Sequence, residues 1–542
     1  MHASRNTPSL PRRTRRAAGA VVTATTLALV ASGLVAAGTA TAAPATPAAP
    51  AAVSPNGDND INGYRNVGYF MSWAPENYGY TVKDFQESGQ ADQITHVNYA
   101  FANIHPTDLT CFISDKDGSP APGGNDGAGV AGADFVDGVS AADSIDGVAD
   151  TADQALAGNF NQVLKLKETN PDTKVLVSIG GWTWSKFFSK AAATPESREK
   201  FVSSCIDLYL EGNLPEIDGR GGPGAAAGLF DGIDIDWEWP GAPGWSQHPE
   251  NFVDPVNDKA NFTALLAEFR EQLDEYGASQ GKEYLLSSYI PVNPTVINAG
   301  WDAPKIFDYL DYGNIQGYDL HGGWSPNLAG HQSNLHDDPT YTGEISVEQG
   351  IDLYLSRGVD PQQITLGIPA FGRGWTGVEA GDSNGAWQSA AGVAEGTHEP
   401  GYKQYFELRD LGTEYFDETT GSSWRYDGNE WWTVDTPRAV EYKAKWVAEK
   451  GLGGSMWWDL AGDYEDELVG AAADVYRASQ AGPVDSDAPG GCYGDWTKAG
   501  IYTAGQVASH QGVNYQANWW VHTNAPGTEK YWSPWRVVGS CV

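Results

Sequence analysis

Basic residues are scarce in this 542-residue chain. Lys and Arg total 33 against 70 Asp and Glu, a formal net charge of −37. Nucleic acid is gripped by clusters of Lys and Arg, so a polyanion is excluded as the main partner. An anionic membrane surface is excluded on the same ground. Cysteine is scarce as well: Cys111, Cys205, Cys492 and Cys541 only, none in a C-x-x-C pair, which argues against a zinc site or a dithiol redox motif. Beyond the N-terminus no apolar run approaches the roughly 18 residues of a membrane span. What is plentiful is aromatic, with 21 Trp and 25 Tyr. Trp fills cores and also stacks on flat, uncharged ligands, and composition leaves both uses open. Hydrophobic residues make up 41%, enough for a sizeable core, and the length asks for more than one unit or one large barrel with attachments.

Residues 1–43 read as an export signal. Arg5, Arg12, Arg13, Arg15 and Arg16 form a basic head, an Ala-rich apolar stretch follows, and Ala40-Thr41-Ala42-Ala43 offers an A-x-A cleavage site. A membrane anchor is the rival, disfavoured because the stretch is weakly apolar. Removing five Arg and no acid takes the charge to −42, so a secreted, extracellular and very acidic protein is expected, acting as a monomer. Export permits disulfides. Cys492 and Cys541 bracket one short segment and are expected to pair. Cys111 with Cys205 then follows by elimination, although either could be a buried thiol. Residues 44–62 read as a flexible lead-in. Within it Asp58, Asp60 and Asn62 match the start of a calcium loop, but Tyr69 stands where the twelfth-position Glu is needed, so a plain turn is expected and no metal or cofactor.

Eight short β-type runs, at 66–73, 95–102, 174–180, 232–239, 284–291, 312–320, 363–369 and 453–460, alternate with helix-like stretches. Eight β–α units predict an α/β chain folded as a (β/α)8 barrel within residues 63–480. Some 80 residues separate the seventh and eighth runs, and Asp427-Gly428 between two aromatic runs reads as a hairpin turn. A small α+β insertion is expected at about 375–445. Residues 481–491 (AGPVDSDAPGG) read as a linker. Residues 492–542 read as a separate small unit, stapled by the Cys492–Cys541 bridge because so short a unit buries little surface.

The densest chemical signal is Asp231-Gly-Ile-Asp234-Ile-Asp236-Trp-Glu238-Trp-Pro240. Side chains alternate along a strand, so Asp234, Asp236 and Glu238 share one face while Ile233, Ile235 and Trp237 share the other. The Ile face must meet the surrounding helices, which turns the acids into the barrel. Crowded, buried carboxylates repel their own ionisation, so at least one pKa is expected to rise, as a general acid at neutral pH requires. Pro240 ends the strand and leaves Glu238 at its C-terminal end, where barrel active sites lie. A metal site would want His nearby, and the segment has none.

These residues resemble the DxxDxDxE signature of family 18 glycoside hydrolases, the chitinases. Further motifs extend the likeness over the barrel: Ser178-Ile-Gly-Gly-Trp182, Gln316-Gly-Tyr318-Asp319, Gly372-Arg373-Gly374-Trp375 and Gly453-Gly454-Ser-Met-Trp457-Trp458. The insertion resembles the chitinase insertion domain of the deep-cleft subfamily. The resemblance implies Glu238 as acid/base, Asp236 orienting the N-acetyl group of the −1 sugar, Asp234 tuning Asp236, and Tyr318 and Asp319 holding the acetamido group. It implies Trp458 as floor of the −1 site, Trp73, Trp182 and Trp324 as stacking aromatics, and Arg373 and Gln316 as further substrate contacts. For Trp73, Trp182 and Trp324 buried packing is the rival. The chain departs from the family at Gln316, where Met is common, and at Phe371, where Tyr is common. The C-terminal segment, residues 492–542, resembles chitin- and cellulose-binding modules of families 5 and 12, which implies a small all-β module with Trp519 and Trp520 as candidate sugar-stacking residues. The implied activity is retaining, substrate-assisted hydrolysis of chitin and chito-oligosaccharides. An endo-β-N-acetylglucosaminidase acting on N-glycans and a non-catalytic chitin-binding lectin are the alternatives.

Overall fold

The computed structural model describes residues 60–116, 128–243, 251–341, 343 and 345–479, and in the C-terminal segment 496–498, 501–502, 506–510, 513–517, 521–522, 525–526 and 535–540. The expected signal, Asp58, the linker, Trp519, Trp520, Cys492 and Cys541 lie outside these residues.

All eight β-type runs are strands: β1 Arg65–Met71, β2 His96–Ile104, β3 Lys174–Gly180, β4 Gly232–Asp236, β5 Leu285–Ile290, β6 Tyr312–Ile315, β7 Ile364–Pro369 and β8 Gly454–Trp458. Each pairs in parallel with its neighbours in chain order, and β8 returns to β1, so the sheet closes. Closure removes both sheet edges and buries both faces, which is why these strands are nearly continuous apolar runs broken only by inward polar groups.

β4 shows how the sequence sets its register. Gly232 lies so close to the Leu285 carbonyl of β5 that a Cβ there would stand 2.2 Å from that oxygen. On the outer face Trp237 is fully buried, stacked on Phe188 at 5.3 Å and edge-on to Phe262 of the helix Asp258–Gln280 at 5.5 Å. The apolar face therefore meets the helical layer, as alternation requires. At the opposite, N-terminal end of β4, Asp231 accepts from Lys167 and Lys282 at 2.7 Å each and from the Val175 backbone N–H at 2.9 Å. Asp231, the first acid of the motif, is thus an ion-paired tie at the barrel's base.

Between β7 and β8 the chain builds an antiparallel sheet. Phe371–Thr376 pairs with Trp431–Val434, which pairs with Ser422–Tyr426, which pairs with Thr413–Asp417; Gly392–Val393 and Tyr402–Gln404 add to Phe371–Thr376. The Asp427-Gly428 turn joins two paired strands. The sheet opens a few residues earlier than the sequence suggested, at Phe371, and the helix Pro437–Lys450 follows it. A second apolar core, with Trp375, Trp424 and Trp431 at its centre, lies in this region. Cys111 and Cys205 are bonded, which ties the short strand after β2 to the helix Pro195–Cys205. Asp60 Oδ1 accepts the Gly63 N–H at 2.7 Å in a plain turn. In the C-terminal segment Val513–Ala517 pairs antiparallel with Val507–His510 and with Trp535–Ser540, and Trp535 is buried against Tyr502 at 4.9 Å. Among the described residues no helix is long and apolar enough to cross a membrane.

Burial pushes the Asp231 pKa up, but the Lys167 and Lys282 ammonium groups outweigh it and hold the carboxyl below its ordinary value. A lowered pKa contributes stability above the unfolded value and loses it as pH falls through the folded one. Asp231→Asn should therefore lower stability at pH 7 by roughly 2–4 kcal/mol. Its gap to the parent, followed by thermal melts, should shrink as pH drops below about 4.

Candidate active site

In β4 the inward side chains are those of Asp234 and Asp236. Asp234 is fully buried and ringed by hydroxyl donors from three strands: Tyr69 of β1 at 2.8 Å and Ser178 of β3 at 2.7 Å, both to Oδ2, and Ser287 of β5 at 2.6 Å to Oδ1. Ser178, Asp234 and Ser287 are direct register partners, so one layer of the barrel interior holds the whole cluster. Burial raises the Asp234 pKa, and hydrogen bonds from Ser287, Ser178, Tyr69 and Asn98 oppose the rise.

One step toward the C-terminal mouth lies Asp236, 3% exposed, whose Oδ1 has no hydrogen-bond partner among the described residues. Its pKa is pushed well up by burial, by Glu238 and by Asp234. The glycines of Ser178-Ile-Gly-Gly allow this closeness. A Cβ on Gly180 (φ +112°) would stand 2.3 Å from the Asp236 carbonyl oxygen, and one on Gly181 (φ +74°) would strike the Phe101 ring at 2.6 Å.

Glu238 stands just past the end of β4, 9% exposed. Burial, aided by the Asp319 carboxylate, pushes its pKa up to about 8. A carboxyl that keeps its proton at neutral pH is a general acid ready for use. Tyr318, 4% exposed, packs beside Tyr289 with ring centroids 6.3 Å apart, and burial pushes its phenol well up, so it stays a neutral donor. Gln316 is half-buried at the end of β6.

Asp319 (φ +56°) accepts a bidentate pair from Arg373, Nε to Oδ1 at 2.8 Å and Nη2 to Oδ2 at 3.1 Å. Arg373 Nη1 turns to Glu399 at 2.7 Å, and its guanidinium lies 5.8 Å from the Trp324 ring centroid. Arg373 therefore reaches the site through Asp319 and Trp324, its Nε and both Nη atoms already engaged.

The aromatic candidates divide. Trp182 and Trp324 are 43% and 58% exposed, which core packing does not explain. Trp73 and Trp458 are half-buried. Trp458 stacks on Phe101 at 5.7 Å and leans on Tyr69 at 5.4 Å, and Trp73 lies 6.1 Å from the same Phe101. Sequence reasoning missed Tyr69, Phe101, Ser185 and Ser287. For Tyr69, Phe101 and Ser287 the one available signal was a lone polar or aromatic residue in a buried strand; Ser185 lies in the helical turn after β3 and had none. Among the described residues no group of three or more His, Cys, Asp or Glu is arranged to hold a metal ion.

Residues 65–463 match the family model described as glycosyl hydrolases family 18. The chain is 34% identical to chitinase A1 of Niallia circulans over 79% of its own length and 60% of that protein's. It is 32% identical to chitinase C of Streptomyces lividans over 73% of its own length and 57% of that protein's. It thus spans about three-fifths of the length of these curated relatives. The solved catalytic domain of psychrophilic chitinase B from Arthrobacter TAD20 shares 52% identity and a TM-score of 0.76, covering 80% of this chain and 99% of that one. A closed eight-stranded barrel, an acid run at the mouth of its fourth strand and a family match over most of the chain converge: the protein belongs to the glycosyl hydrolases family 18.

Proposed function

We propose that the protein is a secreted chitinase that cleaves β-1,4 linkages between N-acetylglucosamine units with retention of configuration. The observation that carries this reading is the buried run Asp234, Asp236 and Glu238 at the end of the fourth strand, where burial and the Asp319 carboxylate push the Glu238 pKa up to about 8. One carboxylic acid at the mouth suits a reaction in which the substrate supplies its own nucleophile.

In the first step the Glu238 proton passes to the glycosidic oxygen. The acetamide oxygen of the −1 sugar attacks C1, and the C1–O bond to the leaving sugar breaks, forming an oxazolinium ion. The unpartnered Asp236 Oδ1 accepts the acetamide N–H and steadies the positive charge that develops. Asp234, fixed by its three hydroxyl donors, lies beneath Asp236 and tunes it. In the second step the Glu238 carboxylate takes a proton from water, the water oxygen attacks C1, and the acetamide oxygen leaves. Two inversions give net retention. Tyr318 donates to the acetamide oxygen, and Asp319, braced by Arg373, helps seat the group. Trp458 floors the −1 sugar, with Gln316 beside it; Trp73, Trp182 and Trp324 stack on neighbouring sugars. The sheet between β7 and β8 acts as the insertion domain of the deep-cleft subfamily, since its first strand carries Arg373.

Residues 492–542 serve as a chitin-binding module, with Trp519 and Trp520 as stacking residues and a Cys492–Cys541 staple, and residues 1–43 direct export. The aromatic density of the segment and its likeness to families 5 and 12 support the first role. The basic head, apolar stretch and cleavage pattern support the second, as does the Cys111–Cys205 disulfide. A polysaccharide partner, uncharged or weakly cationic, also agrees with the acidic surface.

Glu238→Gln should cut turnover of chito-oligosaccharides by roughly 10³-fold or more while leaving their binding measurable by calorimetry; near-normal turnover would sink the assignment. Proton NMR during early hydrolysis should show the β-anomer of the new reducing end, and chitosan stripped of acetyl groups should be cut poorly; α-anomer product or rapid chitosan cleavage would reject the acetamide as nucleophile. Deleting residues 492–542 should depress activity on insoluble chitin far more than on soluble oligomers, whereas equal loss on both would reject the module's role.

A further inference from the structure

Glu238 lies beyond the reach of the barrel's hydrogen-bond ladder. The β3–β4 register ends at Gly180 opposite Asp236, and the β4–β5 register ends at Ile235 opposite Ser288. Backbone pairing therefore does not fix the residue whose carboxyl must meet a glycosidic oxygen within hydrogen-bond distance.

Two side chains from other segments take over that task. The Glu238 N–H donates to Ser185 Oγ at 2.8 Å, and the Glu238 carbonyl accepts from Asn251 Nδ2 at 3.3 Å. Ser185 is fully buried, and its hydroxyl has two acceptors within reach, the Gly181 carbonyl at 2.9 Å and the Asp236 carbonyl at 3.0 Å. One hydroxyl thus joins the Gly-Gly turn after β3 to the backbone on both sides of Trp237. Asn251 is half-buried, and its neighbour Phe252 donates its N–H to the Lys186 carbonyl at 3.1 Å, so the two segments that hold Glu238 are tied to each other. Below, Trp237 is locked in the helical layer by Phe188 and Phe262.

From this geometry we infer that Ser185 and Asn251 are positioning residues that clamp the Glu238 backbone from its two sides, and so set both the aim of the acid and the dryness of its surroundings. The inference rests on the reading of Glu238 as acid/base. A misplacement of about 1 Å costs on the order of a hundredfold in rate. A carboxyl that swings toward water also loses the burial that holds its pKa up.

The test uses the full-length protein on soluble chito-oligosaccharides, with Ser185→Ala and Asn251→Ala alongside the parent and Glu238→Gln. Ser185→Ala should lower kcat about ten- to a hundredfold with KM within about twofold. The alkaline limb of its kcat profile should move to lower pH. Asn251→Ala should move both in the same direction by less, its bond being longer and nearer the surface. A general loss of folded protein would scale kcat without moving the pH limb, so that result overturns the clamp, as does a kcat within twofold of the parent in both variants. If Ser185→Ala does not fold, Asn251→Ala decides alone by the same two readouts. An inactive parent, or a Glu238→Gln variant as active as the parent, would instead overturn the functional reading beneath.

Discussion

Burying three carboxylates in a closed barrel is the constraint on which the rest of the site depends. Each carboxylate loses hydration on burial, and each repels the next, so the fold must either satisfy the charge or suppress it. It does both, graded along one strand. Asp234, deepest, is satisfied by three hydroxyls. At Asp236 and Glu238 burial, and then the neighbouring carboxylates, push the pKa values up. Asp231, at the strand's other end, is neutralised by two lysines and stays ionised. Four acids within eight residues thus take different electrostatic characters from their surroundings alone.

The scaffold around this gradient is built from approaches that tolerate little change. Glycines at 180, 181 and 232 bring neighbouring backbones and the Phe101 ring closer than any side chain would permit. The mouth is completed by groups that come from far away in the chain. Arg373, on the first strand of the inserted sheet, grips Asp319 with two hydrogen bonds and lies under Trp324. The insertion is therefore coupled to the wall of the site through one buried guanidinium. Loss of that contact would free both a carboxylate beside Glu238 and an exposed aromatic surface.

Much of this was legible in the sequence, for identifiable reasons. The barrel strands stand out because strands buried on both faces must be apolar throughout, and the acids stand out because they violate that rule at a period of two. Tyr69, Phe101 and Ser287 did not stand out, because one hydroxyl or ring in an apolar run looks like ordinary core, and their partners Asp234, Trp458 and Asp234 are 165, 357 and 53 residues away. Trp182 and Trp457 illustrate the same limit. They are identical in composition, yet one is 43% exposed at the mouth and the other fully buried with its Nε1 donating to Asn66. The pairing of Cys111 with Cys205 was reached by elimination and is present. Arg373 read as a substrate contact, whereas its bidentate grip on Asp319 needs the insertion's register, which no local pattern encodes.

The acid/base reading of Glu238 requires that burial, with Asp319 as neighbour, keep it protonated at neutral pH before any substrate arrives. Carbon-13 NMR titration of carboxyl-labelled glutamate in the substrate-free protein, assigned by comparison with Glu238→Gln, measures it directly. The expected midpoint for Glu238 is about 8. A midpoint near the ordinary glutamate value of about 4.3 would contradict it.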